Sequence, residues 1–387
     1  MEERFYIWLT ETVRLPGVKT GQLLAAFGSP RAAYDASPSE LRRACPLTPA
    51  ELARLGKKSL RLADQILEEC RKARFGVLTI DMPEYPDLLR SIYDPPAVLY
   101  VRGRLPDLNA SPCVAVVGKR KSSPYGVIAA EKMGFGLSGA GVIVVSGMAE
   151  GGDAAAHRGA LRGGTPTVAV WGTAIDKCYP AFHVPLMREI ESSGAILSEY
   201  PPGALYQKSN FPRRNRIIAG MCLGTVVTEA GAQSGALITA RLALDEGRDV
   251  FAVPGNIDQP ASQGTNELIA QSGARLVTGA QDVLDEYAAL YAGRLQARRP
   301  ATIPPTRRAP EEAPIAAAFA PPEDERAPET AVTSQEKRIL SALSSALDVD
   351  ALSAKTGIGT AQLLGMLTML ELRGAIRQLA GKRFERI

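Results

Sequence analysis

The sequence predicts an α/β protein built on a doubly wound parallel sheet, with a helical domain before it and a small winged-helix domain after it. Six β-branched apolar runs alternate with helical stretches through the middle of the chain, and most end at glycine or a polar turn. Buried strands covered by helices on both faces read as continuous apolar runs of this kind. A stretch rich in proline, alanine and charge then breaks all periodicity before a short periodic segment resumes. The 387 residues also exceed what one compact domain usually holds.

The expected division is 1–75, 76–293, 294–332 and 333–387. The first segment reads as short helices. Leu15-Pro16-Gly17-Val18-Lys19-Thr20 followed by GQLLAAFGS has the form of a helix–hairpin–helix turn. Such a turn can hold a DNA phosphate on its backbone amides, and it is equally a common structural corner. In the middle segment the strands are VAVVG (114–118), VIVVSG (142–147), TVAVWG (167–172), AILSEY (195–200), TVVTEA (225–230) and DVFAVPG (249–255). The linker, from about Arg294, is expected to be extended or disordered.

Composition limits the function classes. Net charge is +4, which permits a nucleic-acid partner but requires any basic site to be local. Five cysteines without a CxxC pair, and two histidines, speak against a disulfide framework or a zinc site. No metal or cofactor is expected. MEERFYIWLT has neither signal- nor transit-peptide character, and no apolar run approaches a membrane span, so the expected location is the cytoplasm.

Sheets of this class bind ligands beyond the carboxyl ends of their strands, and the informative residues fall there. In VAVVGKRKSSPYG a strand ends at Gly118. Lys119, Arg120 and Lys121 follow, then Ser122 and Ser123 beside a helix start with Pro124 in its first turn. Glycine permits close backbone approach, hydroxyls and helix amides donate, and the cations add charge. GxxxxGK[ST] and GxGxxG are both absent from this turn. SGMAEGGDAAAHRGAL (146–161) repeats the strand–turn–helix pattern, with Asp153 as a candidate cap. His157 has no evident nucleophile or metal partner, so a packed structural role is expected for it.

The third segment is FPRRNRIIAG (211–220). Lys208 precedes it, Phe211-Pro212 open a helix, and Arg213, Arg214 and Arg216 crowd its first turns around Asn215. Cations at a helix N-terminus oppose the macrodipole by about 0.3–1 kcal/mol each when exposed. One arginine is expected to brace the loops on Glu199, Glu229 or Asp153, and the others to face an anion. A fourth loop offers Ser234, Gly235 and Thr239. Several anion sites along one sheet edge suit a repeating polyanion better than one small phosphate ligand. Tyr125, Tyr179 and Phe211 are candidate stacking partners, each also a candidate core residue.

Residues 333–387 read as helices near 333–346, 349–356 and 359–373, then a hairpin turning at Ala380-Gly381-Lys382, the order of a winged helix. The third helix carries no cation before Arg373, so sequence-specific base reading is not expected of it. Arg377, Lys382, Arg383 and Arg386 are placed to touch duplex phosphates, or the module serves as a protein contact.

Taken with PEYPDLLRSIYDPPAVLYVRG (83–103) and GTNELIAQSGA (264–274), these segments resemble, in order, the DNA-processing protein A family (DprA, also called Smf). The terminal domains resemble a SAM or helix–hairpin–helix module and a winged helix. The resemblance implies an extended Rossmann-like domain that binds single-stranded DNA and dimerises. It further implies a non-enzymatic protein of natural transformation that protects incoming strands, assists annealing and loads the recombinase RecA. The DNA contacts it implies are Arg120; Ser146 and Gly147; and Arg213, Asn215 and Arg216. Two positions depart from the family. Gly118-Lys119-Arg120 stands where Gly-Ser-Arg is usual, and Gly152 stands where isoleucine is preferred. The main rival is a nucleotide-processing enzyme of the lysine-decarboxylase-like phosphoribohydrolase type. Its PGGxGTxxE loop corresponds here to TEAGAQSGALITAR, which lacks the downstream glutamate and has Glu229 before the turn instead. A winged-helix transcription regulator is a second rival, weakened by the poor reading helix.

Overall fold

The computed structural model describes residues 2–291 and 295, and most of 334–386. The expected linker therefore lies almost wholly outside the described residues, as does the hairpin turn at Ala380-Gly381-Lys382. A nine-stranded sheet organises the first part of the chain. Its strands are β1 Gly76–Thr79, β2 Val98–Gly103, β3 Cys113–Val117, β4 Ile143–Ser146, β5 Thr167–Trp171, β6 Ala195–Ser198, β7 Gly224–Val227, β8 Asp249–Ala252 and β9 Arg275–Leu276. The spatial order is β1-β2-β6-β5-β4-β3-β7-β8-β9. From β6 to β9 every pairing is parallel, whereas β2 runs antiparallel to both β1 and β6. All six strands expected from the apolar runs are present. The antiparallel β1–β2 edge and the two-residue β9 are additions.

Alternation along the strands feeds two faces. Ala115, Val117, Val145, Val168 and Val170 pack with Ile217 and Ile218 of α11 (Asn210–Gly220) and Ala236 and Ala240 of α12 (Gly235–Asp245). Val114, Val116 and Val144 face the other way, onto α8 (Pro124–Gly139), α9 (Gly152–Gly163) and α14 (Ala280–Tyr287). The remaining helices of this part are α7 Asp87–Arg90, α10 Val184–Ser193 and α13 Gln263–Ala270.

Six short α-helices precede the sheet, the first continued by a π-helical segment over Trp8–Val13: α1 Glu3–Ile7, α2 Gly17–Phe27, α3 Pro30–Asp35, α4 Pro38–Ala44, α5 Pro49–Leu55 and α6 Arg61–Ala73. Ser29, Ser37 and Thr48 cap α3, α4 and α5, each with proline just inside the helix, the pairing that starts a helix most cleanly. This layer has its own core around Trp8, Leu23, Leu41 and Leu55. It also buries Tyr6, Ile7 and Ile66 against Val98, Tyr100 and Ile196 of the sheet. The start of α2 is where the hairpin reading places a phosphate. Val18 N–H there donates to Asp94 Oδ1 at 3.2 Å, and a side chain at Gly17 would strike Pro95 O and Asp94. The protein's own carboxylate occupies that helix start, so the corner is structural.

Glu11 lies at the seam between helices and sheet. Burial raises its carboxyl from 4.5 to about 7, helped by Glu199 and opposed by Thr10, Arg14 and Arg213. The folded state thus holds a proton that the unfolded chain releases, and stability falls as pH rises from about 4.5 through 7. We expect Glu11→Gln to raise the melting temperature at pH 8 and to flatten its dependence over that window. Thermal melts of both proteins at pH 5 and pH 8 check this.

Residues 1–303 and 304–387 are separate compact units. In the second, α15 (Ser334–Ala342) and α16 (Val349–Thr356) accompany strands β10 Leu347–Asp348, β11 Ile376–Leu379 and β12 Arg383–Arg386, ordered β10-β12-β11. Ile339, Leu352, Leu363, Leu367, Ile376 and Phe384 form its core. The predicted third helix falls mostly outside the described residues. Arg377 is exposed but paired to Glu385 across the hairpin, so it is not a free cation. Arg383 is exposed on β12. Lys382 and the side chain of Arg386 lie outside the described residues. Among the described residues no helix is long and apolar enough to cross a membrane.

Candidate nucleic-acid interface

Strand order reverses between β3 and β7, because the chain winds outward from β3 to β6 on one side and from β7 to β9 on the other. Loops leaving neighbouring strands at such a switch point diverge and open a crevice. Here the loops after β3 and β7, together with the first turns of α11, enclose a cleft of about 520 Å³. Gly118, Lys119, Arg120, Lys121, Phe211, Arg214, Asn215, Ser234, Gly235 and Thr239 all line it.

The first loop keeps its cations free. Arg120 and Lys121 are exposed and Lys119 is half-buried; none of them, nor exposed Lys208, is paired to a carboxylate among the described residues. Arg120 lies over the Phe211 ring, 5.3 Å from its centroid. Phe211 in turn meets Tyr179 at 5.3 Å and Tyr206 at 5.7 Å, and those two rings are 5.6 Å apart. Tyr179 and Tyr206 are 42% and 47% exposed, which makes this cluster a surface platform instead of core. Tyr206 is the residue sequence reasoning missed. Its signal was an aromatic ring two residues before Lys208. Tyr125 stands apart, half-exposed, with its hydroxyl donating to Pro254 O at 2.6 Å.

Other predicted contacts turn inward. At the start of α8 the Glu229 carboxylate accepts from the Ser123 backbone N–H at 2.8 Å and from its hydroxyl, and the Ser123 oxygen accepts from Gly126 N–H. Ser122 donates to Lys119 O at 2.6 Å. Those hydroxyls and amides are therefore occupied, and the loop offers an anion mainly its cations. Asp153 is not a helix cap: Gly151 holds that position, and the buried carboxylate instead accepts from Gly118 and Ala149 N–H groups, tying the β3 and β4 loops together. Burial raises its pKa, opposed by the nearby Arg214 charge and by these amides. Gly152, the family departure, packs against Gly118, where a Cβ would stand 2.6 Å from its Cα.

Ser146 is fully buried and its hydroxyl donates to Val116 O at 2.6 Å, so it cannot touch a ligand. Gly147 serves Arg214: a Cβ there would stand 1.9 Å from Arg214 Nη1. Arg214 is 4% exposed and donates to Val170 O at 2.7 Å. Burial lowers its pKa to about 10, against the opposing pull of Asp153. Arg216 is 7% exposed and bridges Asp94 at 3.2 Å and Glu199 at 2.5 Å. Of the three arginines, then, two are internal braces, where one was expected. Arg213 is half-exposed and only loosely held, 3.6 Å from Glu199. A cluster of this density is tolerated at a helix start because Glu199, just after β6, and Asp94, in the loop before β2, neutralise it.

Asn215 is half-buried on the cleft wall, and its side chain makes no hydrogen bond to a described residue. Ser234 caps α12, accepting from Ala236 N–H at 3.4 Å; Gly235 is exposed, and Thr239 is buried at the cleft base. His157 is wholly buried on α9. Thr167 gives its hydroxyl proton to Val144 O, so His157 Nδ1 is the donor in their 2.9 Å bond. Burial pulls its pKa down to about 3, and it is a neutral structural residue.

Fold and cleft define a doubly wound Rossmann-like protein whose ligand crevice is walled by free cations and by Phe211, which packs on the exposed rings of Tyr179 and Tyr206. Residues 76–288 match the family described as DNA recombination-mediator protein A, and residues 300–382 match the DprA winged helix domain. The chain belongs to that DprA/Smf family. It is 49% identical over 203 residues to DNA processing protein DprA of Streptococcus pneumoniae, covering 52% of this chain and 71% of the relative. The X-ray structure of the S. pneumoniae protein aligns with TM-score 0.65 at 37% identity, over 73% of this chain and 97% of that one. A Helicobacter pylori DNA processing protein A, whose structure concerns its single-stranded DNA binding mode, aligns with TM-score 0.51 at 28% identity, over 56% of this chain and 97% of that one.

Proposed function

We propose that the chain binds single-stranded DNA along the switch-point edge of its sheet. One observation carries the reading: unpaired Lys119, Arg120 and Lys121 stand beside the exposed Tyr179–Tyr206–Phe211 platform, with Arg120 lying on one of its rings. Cations that follow a phosphodiester thread and rings that accept any base are what an unpaired strand requires. Membership of the recombination-mediator family, and the relative whose structure concerns its single-stranded DNA binding mode, support the same assignment. On this reading the protein acts in the cytoplasm during natural transformation, protects incoming strands, and hands them to RecA as a homodimer. The N- and C-terminal modules are candidates for duplex contacts.

The role is one of binding, not turnover. The downstream glutamate of a phosphoribohydrolase loop is missing, and Glu229, which stands before the turn instead, is 2% exposed and engaged by the Ser123 N–H and hydroxyl. The test is fluorescence anisotropy of oligo-dT binding across a salt series, beside an assay for nucleoside monophosphate hydrolysis. Three to four phosphate contacts give a logarithmic salt slope of roughly −2 to −3. Salt-independent binding, or robust hydrolysis, would overturn the reading. Tyr206→Ala should weaken binding about tenfold by removing a stacking surface while leaving that slope unchanged.

A further inference from the structure

We propose that a second crevice on the same sheet edge, between the loops after β3 and β8, receives a nucleobase of the strand held in the switch-point cleft. The inference rests on the single-strand reading above and adds a subsite to it. The crevice has a volume of about 550 Å³ and is bounded by Ser123, Pro124 and Tyr125 on one side and by the loop from Pro254 to Ser262 on the other, with Glu229 between. The Tyr125 hydroxyl donates to Pro254 O and holds the two sides together.

Ser262 carries the argument. It immediately precedes α13, where a serine hydroxyl ordinarily caps the helix, yet no such cap bond is made. The residue is 4% exposed, its hydroxyl has no partner among the described residues, and it lines the crevice. Gly255 faces it: a Cβ at that position would stand 2.1 Å from Ser262 Oγ, so glycine keeps the hydroxyl uncovered. The oxygen is open to the crevice and not sealed from water, so a base edge can bond to it in place of solvent.

The chemistry selects a neutral planar group. No lysine or arginine lines the crevice, and the buried Glu229 carboxylate in its wall repels phosphate. Two prolines and the Tyr125 ring offer flat apolar surface. Ser262, with exposed Asn256 and Gln259, supplies both donors and acceptors for a base edge. Lys121 lines the switch-point cleft and Ser123, two residues on, lines the crevice, so one short loop borders both.

Full-length wild type, Ser262→Val and Gln259→Ala are compared by anisotropy on oligo-dT and on an abasic strand of equal length at one moderate salt concentration. We expect both variants to bind oligo-dT about fivefold more weakly, the size of one lost hydrogen bond, and to bind the abasic strand as the wild type does. Unchanged oligo-dT affinity in both variants, or an equal loss on both strands, overturns the subsite. Should Ser262→Val melt early, the exposed Gln259 carries the test. If the wild type binds neither strand, the single-strand reading fails and the subsite falls with it. If the wild type binds both and the variants behave like it, only the subsite fails.

Discussion

Arg214→Ala is expected to melt well below the wild type. The guanidinium is buried under the cleft floor, bonded to Val170 O and within reach of the Asp153 charge. Removing it leaves the Val170 carbonyl short of a donor and Asp153 buried without its counter-charge. Losing one partner of a buried charged arrangement costs about 3–5 kcal/mol, which for a unit of this size lowers the melting temperature by roughly 10 °C. DNA binding should fall too, because Asp153 ties the β3 and β4 loops that present the cations. Calorimetry or a circular-dichroism melt separates the causes. An Arg214→Ala protein that melts normally yet fails to bind would mean that Arg214 reaches the strand directly.

Arg120→Ala should have the opposite signature. Its side chain is exposed and paired to no carboxylate, and its contact with the Phe211 ring is a surface one, so stability should shift by no more than about 1 kcal/mol. Binding should weaken about tenfold and by the same factor for every sequence, because a phosphate contact carries no base information. The salt slope should shrink by about 0.7, one counterion's share on a single strand. Anisotropy on oligo-dT and a mixed-sequence strand at three salt concentrations checks all three statements. An unchanged affinity would place the strand elsewhere on the surface.

These two arginines look alike in sequence: each stands in a short basic run, KRK or RRNR, near a helix start. What separates them is three-dimensional: Gly147 makes room for one beneath the floor, while nothing covers the other. The sheet itself was readable, since VAVVG and TVAVWG are short, β-branched runs ended by glycine and separated by helical stretches, the pattern of strands buried on both faces. The antiparallel edge was not. β1 is four residues long and partly exposed, and nothing local fixes the direction in which β2 pairs. The aromatic platform was half legible. Phe211 and Tyr179 were individually suspect, but their meeting with Tyr206 depends on loops 27 or more residues apart closing over the sheet edge. The helix starts misled for a common reason. Glycine, serine and free amides mark an anion site, and a buried carboxylate of the same chain satisfies them as well as a phosphate does: Asp94 at α2, Glu229 at α8.

Asp94 has a bearing on how shortened versions of this protein should be understood. It accepts from Val18 in the helical layer and from Arg216 behind the DNA cleft, so a single carboxylate rivets the N-terminal helices to the helix that carries Phe211. Excising residues 1–75 would bare Val98 and Tyr100 and unseat that rivet. A truncated protein that no longer gripped DNA would then testify to a sprung hinge plate, and say nothing of whether those helices ever touch the strand.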